Sequence, residues 1–352
     1  MLTFYLLQEQ KKYVEEFMNK VSRSFALVTP CFEEPLDAFM STAYLIFRVA
    51  DNIEDSQQPY NWQKNRFIEF KQLLKEPTLA TNILSGWSHE DWRGLNTNQT
   101  QLMTLEGGLM LWQIFALIPD AVREIISRWV LAMVEGIEEF QDGQYKAAMV
   151  TRNGVRLLAQ EADYSRYCYF AAGTVGQMGT ELAIEHYRFN VDIAKSLLAH
   201  SGTCGQALQR TNIVKDFPED LANGICYLPD VWMQEIDGLP LTLGGAPKSW
   251  TKKVLANVLA EINKSVSYVI DIPYEAVGFR LASLMCLLPA YQTLLSAAQQ
   301  HNKLFTPDHS IKISRSCFSK CMEDAKLMVR DNNTLLHYSQ ELQNSVEVAF
   351  VE

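Results

Sequence analysis

Apolar residues recur at three- and four-residue intervals along most of the chain, the spacing that lines one face of an α-helix. Ile125, Trp129, Met133, Ile137 and Phe140 make one such stripe, and Leu255, Val258, Leu259, Ile262, Val266 and Val269 make another. Period-two alternation, the mark of a half-buried strand, is scarce. Polar residues, glycine and proline gather around 86–100, 221–229 and 238–247, where helices are expected to break. The last of these carries Gly238, Pro240, Gly244, Gly245 and Pro247, and reads equally as a flap and as an ordinary surface loop. With no repeat of solenoid period and no low-complexity tract, the pattern predicts an all-α fold, a bundle of about ten helices or more.

Composition narrows what that bundle does. Apolar residues make up 48% of the 352 and charged residues 20%, enough to bury a large core, and no compositional border argues against one domain over 1–352. A net charge of -10, with no local run of Lys and Arg, opposes nucleic acid as a partner. Met1 to Lys12 has neither a basic leader nor a small-residue cleavage site, so a cytoplasmic protein with reduced thiols is expected. The longest apolar run, Leu281 to Tyr291, carries Pro289 and is too short for a bilayer core of roughly 30 Å, so no transmembrane segment is expected. The seven cysteines form no C-x-x-C pair, and Cys317 and Cys321 read as neighbours on one helix face.

One chemical pattern recurs. Asp51, Glu54 and Asp55 form D-x-x-E-D, and so do Asp216, Glu219 and Asp220. On a helix, residues three and four apart share a face, so each segment should gather three carboxylates within reach of one another. They repel, and Arg48 is the basic residue at a relieving spacing from the first set. A hard divalent cation such as Mg2+ would neutralise them and leave coordination positions for substrate phosphates. A single such cluster reads as a solvated acidic face, but two, each behind an apolar run, point to a shared set of cations. Tyr44 and Arg48 precede the first cluster on its stripe, and Gln209 and Asn212 precede the second. The chemistry suggested is ionisation of a carbon–diphosphate bond, with Arg48 and Lys215 assisting the departing charge. The carbocation left behind needs aromatic, dry walls, and 17 Phe, 14 Tyr and 7 Trp are available for them.

These segments resemble the squalene and phytoene synthases, which join two prenyl diphosphates head to head. The likeness rests on Ser22 to Phe25 (SRSF), Tyr44 to Asp55 (YLIFRVADNIED), Tyr167 to Gly176 (YCYFAAGTVG), Gln209 to Asp220 (QRTNIVKDFPED) and Tyr227 to Pro229 (YLP). The resemblance implies an isoprenoid synthase type bundle with a central active-site cavity. It implies that Asp51, Glu54, Asp55, Asn212, Asp216 and Asp220 hold Mg2+, and that Ser22, Arg23, Ser24, Phe25, Arg48, Gln209 and Lys215 contact substrate. It gives Tyr167 a part in the first half-reaction, with Arg48 and Tyr44 as its catalytic companions; taken alone, Tyr167 reads as a core ring. The form of the Tyr44–Asp55 and Gln209–Asp220 segments resembles squalene synthase more than phytoene or dehydrosqualene synthase. That implies two molecules of farnesyl diphosphate, presqualene diphosphate as intermediate, and NADPH as hydride donor.

The rival expectations are a one-step relative making presqualene diphosphate, dehydrosqualene or phytoene, and a non-catalytic assembly protein of the same fold. Two departures bear on the choice. Ile225 stands where squalene synthases usually carry an arginine, and Pro218 interrupts the second cluster. Gly173, Gly176 and Gly179 lack the preceding strand of a dinucleotide motif and are expected to serve helix packing. The resemblance also implies a bacterial form, a monomer, working in the cytoplasm with peripheral association to a membrane.

Overall fold

The computed structural model describes residues 4–22, 24–141, 148–236, 246–306 and 308–350. Arg23 and most of the 238–247 segment lie outside the described residues. The chain divides into two compact units, Met1–Asp142 with Gln177–Phe189, and Gly143–Gly176 with Asn190–Glu352.

The first unit opens with α1 (Gln8–Val21), α2 (Phe25–Val28), α3 (Leu36–Asp55) and α4 (Tyr60–Lys75). It continues through α5 (Ala80–Trp87), α6 (Thr97–Leu102), α7 (Leu105–Leu117) and α8 (Asp120–Gln141). Its central member is α3, which packs on α1, α4, α7 and α8. The sequence explains the position. Between Leu36 and Ile53 the helix has no glycine or proline, and Leu36, Ala43, Leu45, Ile46, Val49, Ala50 and Ile53 are fully buried. Each such aliphatic side chain contributes about 1.5–3 kcal/mol on burial, less for alanine. On α8 the buried stripe is Val122, Ile126, Val130, Met133, Ile137 and Phe140, with Ile125 and Trp129 half-buried beside it. The helical period is as expected, but the first half of the stripe is displaced by one residue, because Val122, Ile126 and Val130 compete for the core.

The second unit begins with β1 (Met149–Arg152) and β2 (Val155–Leu158), followed by α9 (Glu161–Cys168) and a π-helical turn at Tyr169–Gly173; α10 (Thr174–Tyr187) starts in this unit and from Gln177 onward belongs to the first. Then come α11 (Val191–Lys215), α12 (Phe217–Ala222), β3 (Ile225–Cys226), α13 (Asp230–Met233), α14 (Lys248–Asp271), α15 (Val277–Gln299), α16 (Arg315–Met328) and α17 (Asn332–Val348). The core of this unit is α11 against α14 and α15. The expected stripe on α14 is buried at Leu255, Val258, Ile262, Val266 and Val269, with Leu259 half-buried.

The strands were not anticipated. β1 and β2 form an antiparallel hairpin, and β3 adds in parallel to β2. The signal was present: Asn153 and Gly154 have φ of 50° and 83°, the two-residue turn that Asn-Gly favours because both residues tolerate positive φ. The apolar run at 281–291 is part of a 23-residue helix, α15, long and apolar enough to cross a membrane by length and composition. In this fold 61% of its apolar window is buried inside the protein, and Arg280 is fully buried within it.

Candidate active site

The first acidic cluster occupies the last turn of α3, with Asp55 its final residue and no basic residue in that turn. A helix C-terminus carries partial negative charge, so Asp51, Glu54 and Asp55 sit where anions are least welcome. Burial holds the Asp51 carboxyl above its usual range, opposed by Arg48. Burial, then the neighbouring Asp55 and Asp51, push Glu54 well above the usual value. Arg48 lies 3.5 Å from Asp51 through Nη1 and donates from Nη2 to the Tyr44 hydroxyl at 3.3 Å. Tyr44 meets the Phe25 ring at a centroid distance of 5.0 Å. The Ser22 hydroxyl accepts from the Phe25 amide at 2.9 Å, fixing the start of α2, and Ser24 is exposed beside it. Ser22, Phe25, Tyr44, Arg48 and Asp51 thus form one connected line in the first unit.

That turn is held by two residues that spacing alone did not single out. Gln63 of α4 donates to the carbonyls of Ile53, Glu54 and Ser56 at 3.1, 2.8 and 2.8 Å, satisfying groups that every helix C-terminus leaves open. Asn52, fully buried between the acids, donates to the Gln99 carbonyl at 3.1 Å.

The second cluster is split. α11 ends at Lys215, Asp216 lies between the helices, and Glu219 and Asp220 fall in the first turn of α12. Pro218 sits near the start of α12, where its missing N–H has no intrahelical partner to lose. The interruption is therefore a helix boundary and not a strained kink. Lys215 bridges the candidate ligands, 3.1 Å from Asp216 Oδ2 and 3.1 Å from Asn212 Oδ1. Gln209 stands half-buried one turn before Asn212.

One expectation is corrected. Among the described residues no group of three or more His, Cys, Asp or Glu side chains converges to hold a metal ion. The second cluster is divided between the end of α11 and the first turn of α12, and the first lies in the last turn of α3. The donor set still fits Mg2+. This ion takes one or two carboxylates and completes its shell with water and phosphate oxygens, and on α3 Asp51 and Glu54 are half-buried with Arg48 3.5 Å from Asp51.

Tyr167 lies on α9, buried, its ring stacked on Tyr227 with centroids 4.4 Å apart and planes 16° from parallel. Sequence reading placed Tyr227 within a motif but gave it no role. The π-helical turn follows directly, and such turns are frequent at functional sites. Glycine makes that segment's seat on α11: a Cβ on Gly205 would come within 2.0 Å of the Ala172 carbonyl oxygen, and one on Gly176 within 2.3 Å of the Ser201 carbonyl oxygen. The packing role expected of Gly173 and Gly176 matches this contact. Ile225 lies opposite the exposed Arg156 of β2 in the parallel register. None of the seven cysteines forms a disulfide, and burial pushes the Cys168 and Cys204 thiols up to about 12.

A family model described as squalene/phytoene synthase matches residues 18–315, a span that includes both clusters and Tyr167. Human squalene synthase is 21% identical over 346 residues, 97% of this chain and 75% of its own length. Squalene synthase ERG9 of Gibberella zeae is 26% identical over 222 residues, 63% of this chain and 44% of its own length. Among solved structures, TcSQS in complex with the ligand E5700 matches with a TM-score of 0.74 at 20% identity, covering 97% of this chain and 99% of that one. A dehydrosqualene synthase in complex with ligand gives 0.62 at 18% identity, covering 92% and 97%. The fold is the all-α architecture of those synthases. The chain belongs to the squalene/phytoene synthase family, a family of prenyltransferases.

Proposed function

We propose that this protein condenses two molecules of farnesyl diphosphate head to head through presqualene diphosphate and reduces that intermediate to squalene with NADPH. The observation that carries the reading is the match to squalene synthase along 97% of the chain. In this reading Asp51, Glu54 and Asp55, and likewise Asn212, Asp216 and Asp220, are the residues that would hold Mg2+. Bound there, the ion would supply Lewis-acid stabilisation of the departing diphosphate. Arg48 and Lys215 add positive charge beside each cluster, and Arg48 is oriented by Tyr44. The stacked rings of Tyr167 and Tyr227 offer π faces to a cation, and the Tyr167 hydroxyl is the group that would handle the proton lost in closing the cyclopropane. The lipophilic product favours work at a membrane surface from the cytoplasmic side, as a monomer.

The test is the product. With farnesyl diphosphate and magnesium alone, purified protein should release presqualene diphosphate or its water-capture products, and NADPH should divert carbon to squalene. Ile225 gives the second reading its footing, because a weaker grip on diphosphate favours early release of the intermediate. Dehydrosqualene or phytoene formed in the presence of NADPH, identified by mass spectrometry, would replace the squalene assignment with a one-step synthase. No turnover of any prenyl diphosphate would leave the non-catalytic reading.

A further inference from the structure

We infer that Arg210 is a positioning residue that fixes the Tyr167-bearing helix against α11, an inference that rests on the functional reading above. Its side chain is 8% exposed and lies 3.6 Å from the carboxylate of Glu261, which is 4% exposed and also accepts from the exposed Lys264 of the same helix at 3.2 Å. The same guanidinium donates to Asn257 Oδ1 at 2.7 Å and to the Ser165 hydroxyl at 3.4 Å, and lies 5.2 Å from the Tyr164 ring centre. One side chain therefore grips three helices: α11, which carries it, α14 through Asn257 and Glu261, and α9 through Tyr164 and Ser165.

Stability does not explain such a group. Desolvating two charges costs several kcal/mol per ion, and apolar replacements of a buried pair are often neutral or stabilising. What the pair supplies is a fixed azimuth. Residues on a helix advance about 100° each, so a rotation of α11 that freed the buried Arg210 would swing Asn212, two residues on and exposed, by the same angle. On α9, Ser165 and Tyr167 are linked in the same way. The glycine contact between Gly205 and Ala172 closes the same pair of segments further along, where a single Cβ would force them apart. Arg210 and the glycine seam are thus two clamps on one assembly, and Tyr167 and the Asn212–Asp216 edge are its functional parts.

The experiment compares Arg210→Met/Glu261→Met, which removes both charges together, with Arg210→Lys, using the full chain. For the double variant the expected result is a melting temperature close to wild type, kcat lower by about tenfold or more, KM for farnesyl diphosphate within about twofold, and faster hydrogen exchange over residues 161–173. Arg210→Lys keeps the charge opposite Glu261 and should recover part of kcat. A folded double variant with kcat within about twofold of wild type overturns the inference. If the double variant does not fold, Ser165→Ala decides: it leaves the ion pair intact, and unchanged kcat together with unchanged exchange over 161–173 overturns the inference, whereas loss of kcat at unchanged melting temperature supports it. A wild-type protein that releases no pyrophosphate from farnesyl diphosphate overturns the functional reading instead, and exchange over 161–173 in the same variants still decides whether Arg210 holds α9.

Discussion

The two acidic clusters share a motif and are built in different ways. The first lies wholly within one helix, at its C-terminal end, where the helix dipole, the neighbouring carboxylates and burial all disfavour negative charge. The second is divided by a helix boundary, so Asp216 follows one helix C-terminus while Glu219 and Asp220 enjoy the N-terminal end of another. Restraint differs as well. Gln63 and Asn52 hold the first turn from neighbouring elements, whereas the second is braced locally by Lys215. The same spacing of acids therefore yields one cluster clamped from neighbouring elements at a helix C-terminus, with Arg48 beside Asp51, and one spread over a helix boundary, with Lys215 beside Asp216 and Asn212.

The largest effects should come from removing a candidate ligand from either cluster. Asp51→Ala and Asp216→Ala are each expected to lower turnover of farnesyl diphosphate by about a thousandfold, about 4 kcal/mol in barrier. Circular dichroism should show both variants folded. Turnover that persists with wild-type magnesium dependence in one of them would mean that only the other cluster serves the reaction. Tyr167→Phe touches neither cluster and removes only a hydroxyl. Single-turnover kinetics should show presqualene diphosphate formation slowed by about a hundredfold, and a loss below about twofold would return Tyr167 to the role of a core ring.

A smaller effect probes the clamp. Gln63→Leu leaves the carbonyls of Ile53, Glu54 and Ser56 without their side-chain donor, so thermal or urea unfolding should report a loss of about 1–3 kcal/mol. Because the last turn of α3 is then less defined, the magnesium concentration for half-maximal activity should rise. A loss of stability with unchanged magnesium dependence would make Gln63 a cap and nothing more.

Much of this was legible in the sequence, and the reasons for the rest are local. The period of α8 and α14 follows from apolar spacing, and the ordering of Tyr44, Arg48 and Asp51 along one helical face follows from the same arithmetic. The phase of the α8 stripe was not legible, because Ile125 and Ile126 are chemically equivalent and only packing selects between them. The hairpin at Asn153-Gly154 was legible but small, its short strands outweighed by the helical pattern around it. At Pro218 the sequence showed a conflict, and the fold resolves it by ending α11 one residue before Asp216. Gln63 and Arg210 could not be found by spacing, since each acts on an element distant in sequence. The expected convergence of three carboxylates is not found among the described residues, since a shared helical face brings Cβ atoms near and does not fix where the charged ends lie.

The smallest effect discriminates the clusters by sign. Glu54→Gln removes a negative charge from a helix C-terminus flanked by Asp51 and Asp55, and Glu219→Gln removes one from a helix N-terminus. A charge at a helix terminus is worth about 0.3–1 kcal/mol and a like-charge neighbour about 0.2–0.5 kcal/mol, so with chelator present the first variant should melt above wild type and the second at or below it. The pH dependence follows from linkage. The Glu54 carboxyl is held above its ordinary value of 4.5 by burial and then by its neighbours, so the folded state binds its proton more readily than the unfolded state does. Its penalty is therefore complete above the raised folded value, shrinks as pH falls through that value, and is gone below the ordinary one. The stabilisation gained from Glu54→Gln should shrink over the same window, being largest at neutral pH and absent near pH 4. A gain that is independent of pH would mean the Glu54 charge is not the source of the strain, and equal shifts in both variants would remove the distinction between the clusters. Adding magnesium should reverse the sign for Glu54→Gln, because the wild-type carboxylate then has the cation its helix withholds.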